Sequence, residues 1–275
     1  MPRSIGEATE IRRGRDRLIA IVWPVALGTL SGALLLLVLL PIAGLLFTSS
    51  PGQLLRGLHD PLVAPAIRLT IATTLASLAL IVVCGTPLAW LIARGRGRGW
   101  RFLETVIQLP VVLPPAVAGV ALLLAFGRRG LVGPELALFG IGLPFSSAAV
   151  VLAQSFVAAP FYVQAAVAAF RRLDPDLLLV ARTLSAAWPR VFFTVALPLS
   201  WPALAGGAAL SWARALGEFG ATLMFAGNMS GRTQTLPLAI YTALESDLHT
   251  AQSLSIILVA VAFALLVAIR AGGRR

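Results

Sequence analysis

Apolar runs long enough to cross a bilayer recur along the whole chain, and nothing else in it constrains the fold as tightly. A transmembrane helix needs roughly 20 consecutive, mostly apolar residues. About six such runs are present, at residues 21–47, 69–93, 105–126, 147–170, 202–225 and 251–269. They are apolar on nearly all sides, whereas strands of a membrane β-barrel would alternate apolar and polar. Only 12% of the 275 residues are charged, against roughly a quarter in a soluble domain. The fold class expected is an all-α polytopic membrane protein. The first span is the least regular, because Pro24 and Pro41 bracket it.

The basic residues give an orientation, since Lys and Arg near short loops mark the cytoplasmic side. All 22 are arginine. Arg3, Arg12, Arg13, Arg15 and Arg17 precede the first span, and Arg94, Arg96, Arg98 and Arg101 separate the second from the third. Arg171, Arg172, Arg182 and Arg190 separate the fourth from the fifth, and Arg270, Arg274 and Arg275 close the chain. The other side holds only Arg56, Arg68, Arg128, Arg129 and Arg232. Both termini are therefore expected in the cytoplasm, with a cytoplasmic segment 1–20, a single transmembrane domain 21–270 carrying a cytoplasmic loop 171–198, and a tail 271–275. Residues 1–20 are polar and the run after them is too long for a signal-peptide core, so that run reads as a retained span.

Several functions recede on this evidence. The net charge of +11 reflects topology and anionic lipid headgroups rather than nucleic acid; residues 94–101 (RGRGRGWR) form a tight turn between two spans. Cys84 is the only cysteine, excludes an internal disulfide and reads as a packed thiol within the second span. His59 and His249 lie far apart and make no metal site. No P-loop and no acid–base constellation is present, so the chain is not expected to be an enzyme.

Two stretches carry functional weight. In the longest cytoplasmic loop, Asp174 suits a helix N-cap, Pro175 the first helical position and Asp176 the first turn. The helix runs through Leu184 or Ser185 and ends before Trp188-Pro189. Leu177, Leu178, Val180, Ala181 and Leu184 make its apolar face, with Arg182 to one side. Such a face either docks on a protein or lies on the membrane surface. In the fifth span, Arg214 and Glu218 stand four apart on one helix face, as a structural ion pair or as part of a pathway. Small residues Gly206, Ala209, Ala213, Gly217 and Gly220 allow close helix approach, and Gly217-Glu218-Phe219-Gly220 can bend the span into a gate near its middle. Thr70, Thr73, Thr74 and Ser77 form a polar stripe on the second span, bonding helices or lining a pore. Gln154 and Gln164 add polar points to the fourth span, and Gln108 with Pro110, Pro114 and Pro115 interrupts the third.

The loop sequence resembles the cytoplasmic signature, the EAA loop, of ABC importer permeases. Leu179, Val180 and Ala181 occupy its Glu-Ala-Ala positions, Ser185 its Gly, Val195 its hydrophobic residue and Leu197-Pro198 its end. Leu179 and Ser185 depart from the pattern. Residues 213–228 (ARALGEFGATLMFAGN) and 231–241 (GRTQTLPLAIY), with 109–130 and 143–163, are similar to the molybdate permeases among these importers; sulfate and thiosulfate permeases share ARALGEFGA but usually differ after it. The resemblance implies a type I importer fold in the inner membrane and a homodimer. It further implies two cytoplasmic ATPase subunits holding ATP-Mg, an extracytoplasmic oxyanion-binding protein, and no cofactor on this chain. It implies that loop helix 175–186 sits in a groove of the ATPase, and that ATP-driven closure switches the permease from inward-open to outward-open. The binding protein is expected on outer loops 48–68, 127–146 and 227–250. Tungstate, sulfate or thiosulfate permeases are the alternatives, and a secondary transporter without an ATPase is the rival class.

Overall fold

The computed structural model describes residues 3–48, 51–183 and 187–272, all its regular elements being helical. Residues 1–51 form one unit and residues 52–275 another. The first is a single helix, α1 (Arg3–Phe47), with Pro24 and Pro41 inside it rather than at its ends. Its membrane-length part is Trp23–Phe47, whose side chains build no core of their own.

The second unit follows the order α2 (Pro51–Leu58), α3 (Val63–Arg94), α4 (Arg98–Val112), α5 (Pro115–Phe126), α6 (Gly133–Leu138), α7 (Ser147–Arg171), α8 (Pro175–Thr183), α9 (Trp188–Val191), a π-helical turn (Phe192–Ala196), α10 (Leu197–Leu216), α11 (Gly220–Ala226), α12 (Leu236–Ser246) and α13 (Leu248–Gly272). Among the described residues five helices are long and apolar enough to cross a membrane, or six if α4 and α5 count as one bent span.

The centre is α7, 61% buried over its most apolar stretch. α3 runs parallel to it and α10 antiparallel, as the order of their contacts shows: Ser77 meets Gln154 and Thr86 meets Tyr162, whereas Gly207 lies beside Ala165 and Ser211 meets the Ala158 carbonyl. Small residues set the separation. A Cβ on Gly85 would press on Tyr162 and Val163, and one on Gly207 would overlap Ala165. Close approach of this kind drives helix association where lipid offers no hydrophobic gain.

The hydroxyl stripe of α3 is buried and bonds helices, the first of its two readings. Thr70 donates to the Ala66 carbonyl and accepts the Leu236 N–H at 2.7 Å, Thr74 accepts Trp212 Nε1–H at 3.1 Å, and the Ser77 hydroxyl lies 3.0 Å from Gln154 Oε1. α3 is thereby tied to α12, α10 and α7. Cys84, expected to be packed, is exposed on α3.

Two expected spans differ from their apolar runs. The third breaks at Leu113-Pro114, where the chain turns by 119° between α4 and α5. Leu113 is extended, the conformation favoured before a proline, and Pro115 opens α5 at a position whose N–H needs no partner. Pro110 stays inside α4. The fifth run is displaced. Its helix starts at Trp188 and ends at Leu216, with a π turn at Phe192–Ala196 just before Pro198 and with Pro202 inside α10.

Candidate functional site

The loop helix is described from Pro175 to Thr183 and presents a different face from the one expected. Asp174 caps it, its Oδ1 accepting the Asp176 N–H at 2.9 Å. Leu178 is buried and Ala181 half-buried, packed with Val191, Ala196, Trp90 and Phe192. Leu177, Leu179 and Val180 are more than half exposed, at 51%, 57% and 60%. The expected single apolar stripe therefore divides: Leu178 and Ala181 anchor the helix, while Leu177, Leu179 and Val180 face outward. Arg182 lies on the helix backbone, and its side chain, like all of Leu184 and Ser185, lies outside the described residues. Pro198 is not the end of a loop but the second residue of α10.

The anchor beneath α8 is aromatic. Trp90 of α3 makes edge contacts with Phe170 of α7 and Phe192 of the π turn, each at 5.3 Å between ring centroids. The Arg94 guanidinium lies 4.7 Å from the Trp90 ring centroid and 4.4 Å from that of Trp188. Nearby, Glu104 and Arg171 pair through two hydrogen bonds of 2.9 and 2.7 Å, holding the end of α7 to α4. Sequence reasoning missed this cluster. Its only local signal was tryptophan four residues before arginine on α3.

The second group is the break after α10. Gly217 ends the helix and Glu218 stands beyond it, so Arg214 and Glu218 do not share one continuous helix face. They still pair, at 3.0 Å, with Arg214 about a third exposed and Glu218 1% exposed. The second Glu218 oxygen accepts the Ala221 N–H at 2.8 Å at the start of α11. Residues 217–220 thus terminate the span rather than bend its middle. Phe219 packs on Tyr241 at 5.5 Å, and Gly220 leaves no room for a Cβ beside Pro115. Gly119 is equally tight against Met224. The pairs 115–220 and 119–224 place α5 and α11 side by side and parallel, each beginning at a break.

A cavity of about 450 Å³ opens between α3, α7 and α10, bounded among others by Val82, Tyr162, Phe192, Trp201 and Leu204. Its polar feature is the Thr86–Tyr162 hydroxyl pair, 2.6 Å apart. Among the described residues no charged side chain lines it, so an anion there would exchange its hydration for little more than two hydroxyls.

The comparisons with known proteins agree with this architecture. The family described as "Binding-protein-dependent transport system inner membrane component" matches residues 85–272. The molybdenum transport system permease protein ModB of Mycobacterium tuberculosis is 49% identical over 197 residues, 72% of this chain and 75% of that one. The probable transport system permease protein NifC of Clostridium pasteurianum is 37% identical over 235 residues, 85% and 82% of the two chains. ModB of Escherichia coli K12 is 40% identical over 183 residues, 66% and 80%. Among solved structures, a bacterial alginate ABC transporter superposes with TM-score 0.71 at 17% identity, over 92% of this chain and 94% of that one. The MetNI methionine ABC transporter gives 0.56 at 18% identity, over 82% and 99%.

Proposed function

Since the chain belongs to the family of binding-protein-dependent transport system inner membrane components, we propose that it is the membrane-spanning permease of an ATP-driven molybdate importer. The observation that carries the substrate is the 49% identity to a molybdenum transport permease over 197 residues. ATP is held and hydrolysed by a partner subunit, and a binding protein delivers the oxyanion. Two copies of this chain form the pathway between them. The arginine-rich loops and both termini lie in the cytoplasm, as the charge asymmetry favours.

The geometry supports a division of labour. Leu177, Leu179 and Val180 form the surface that enters the ATPase, while Leu178 and Ala181 fix α8 to the bundle. The paired breaks before α5 and α11 are the gate, with Gly217, Glu218, Phe219 and Gly220 at its joint. Non-helical backbone inside a membrane is tolerated where it is buried in protein or lines a water-filled path. Arg214 and Glu218 hold this joint together; their charges offset one another and leave little net attraction for an anion.

The test is uptake into vesicles holding the permease with its co-purified ATPase and its binding protein. Molybdate should accumulate only with ATP, and excess tungstate should compete better than sulfate or thiosulfate. Accumulation without an ATPase would make the chain a secondary transporter, and sulfate uptake insensitive to molybdate would move the substrate.

A further inference from the structure

We propose that Arg94, held between Trp90 and Trp188, is the joint that carries a push on α8 into the membrane spans. This rests on reading the chain as an ATP-driven permease and names a transmission residue within it.

The argument begins with what α8 touches. Upstream it follows α7 after a short turn, and that end is fastened by the Glu104–Arg171 pair. Movement of that end away from α4 is therefore resisted. Downstream, Leu178 packs with Val191 and Phe192. These residues lead into the π turn at the start of the span Trp188–Leu216. A push on α8 therefore meets the base of that span first.

The π turn is the compliant element there. It carries one residue more per turn than an α-helix, and such insertions concentrate at functional sites. Phe192 opens it and meets Trp90 edge-on at 5.3 Å, and Trp90 also meets Phe170 at 5.3 Å. The base of α10 is thereby read against both α3 and α7.

Arg94 closes the arrangement from outside. Its guanidinium lies within 5 Å of two indole centroids on different elements, 4.7 Å for Trp90 and 4.4 Å for Trp188. A cation over a ring face is attracted without the strict direction of a hydrogen bond. Rings can slide past a guanidinium and remain held, so the contact can follow Trp188 as it moves relative to α3. The two rings that hold Arg94 belong neither to the exposed face of α8 nor to residues 217–220, so replacing Arg94 is expected to spare both docking and the pathway.

The experiment uses the whole complex in vesicles, with ATP hydrolysis and molybdate uptake measured on the same preparation. Arg94→Gln should leave the ATPase bound and its hydrolysis within about twofold of normal, while the ATP spent per molybdate rises about tenfold, within the usual range of coupling between sites. Trp188→Leu should do the same. Arg94→Lys and Trp188→Phe, which keep a cation and a ring, should restore most of the coupling. If hydrolysis and uptake fall together in Arg94→Gln, or if Lys restores nothing, the contact is only structural and the proposal fails. If the unaltered permease retains no ATPase, the reading of the chain as an ATP-driven permease fails instead.

Discussion

Glu218 lies past the end of the helix that carries Arg214, yet its carboxylate reaches back to the guanidinium at 3.0 Å. Its other oxygen holds the first turn of the next helix, through the Ala221 N–H at 2.8 Å. One side chain therefore spans the gap in the chain. Removing it leaves a buried amide without an acceptor and a half-buried cation without a partner. Glu218→Ala should lower stability by about 2 kcal/mol. Glu218→Gln, which keeps an acceptor for Ala221, should lose about half of that. Unfolding of the purified protein in detergent checks both. Equal losses would show that the hydrogen bond contributes nothing.

The glycines separate by what surrounds them. Gly119→Ala pushes a methyl into Met224, and Gly220→Ala pushes one into Pro115. Each should cost about 1–3 kcal/mol, as overpacking does. Gly206 lies within α10 with nothing near its missing Cβ. Gly206→Ala should be neutral or stabilise by up to about 1 kcal/mol. Thermal unfolding of the three variants in one detergent decides it, and a similar loss at Gly206 would refute the contact argument.

On α8, Leu177 and Leu178 are neighbours with opposite fates. Leu177→Asp changes an exposed position, so the protein should fold and insert normally while losing at least tenfold in affinity for the proposed ATPase partner. Leu178→Asp buries a charge beside Val191 and Ala196 and should cost about 3 kcal/mol of stability or more. Pull-down of the ATPase, paired with size-exclusion profiles, separates the two effects.

Asp247 precedes α13 and caps it. The Thr250 hydroxyl donates to it at 2.7 Å and the His249 N–H at 3.0 Å. These bonds, the Thr250 one foremost, hold its carboxyl below the ordinary value of 3.8. A depressed carboxylate stabilises the fold fully above its unfolded value and loses that contribution as pH falls through the folded one. Asp247→Ala should therefore lower Tm at pH 7, and the difference from the unaltered protein should shrink toward pH 3. A difference that stays constant with pH would rule out the charged cap.

The spans were legible because lipid imposes one demand, a long apolar helix, and the sequence of α7 meets it without competing signals. The expected range 147–170 is within one residue of Ser147–Arg171. The prolines were harder to read. Pro110, Pro114 and Pro115 all mark disruption, yet only the adjacent pair removes two neighbouring donors and forces Leu113 extended. Pro198 closed the expected loop and residue 202 opened the expected span, yet both prolines lie within α10, directly after a π turn. The Arg214–Glu218 pair was visible from its spacing, whereas its position across a break depended on where α10 stopped. The Arg94 contact with Trp188 was not legible, because the two residues are distant in sequence and no periodicity links them.

The half-length helices have a consequence for how the protein is made. At 1.5 Å per residue, α5 with its 12 residues reaches about 18 Å, well short of the roughly 30 Å of hydrocarbon. It cannot settle as an independent span, and its parallel neighbour α11 is synthesised only about 100 residues later, or roughly 5–20 s at ribosomal rates. Insertion of this permease is therefore not a sequence of finished spans, and biogenesis must keep one broken segment in reserve for its counterpart.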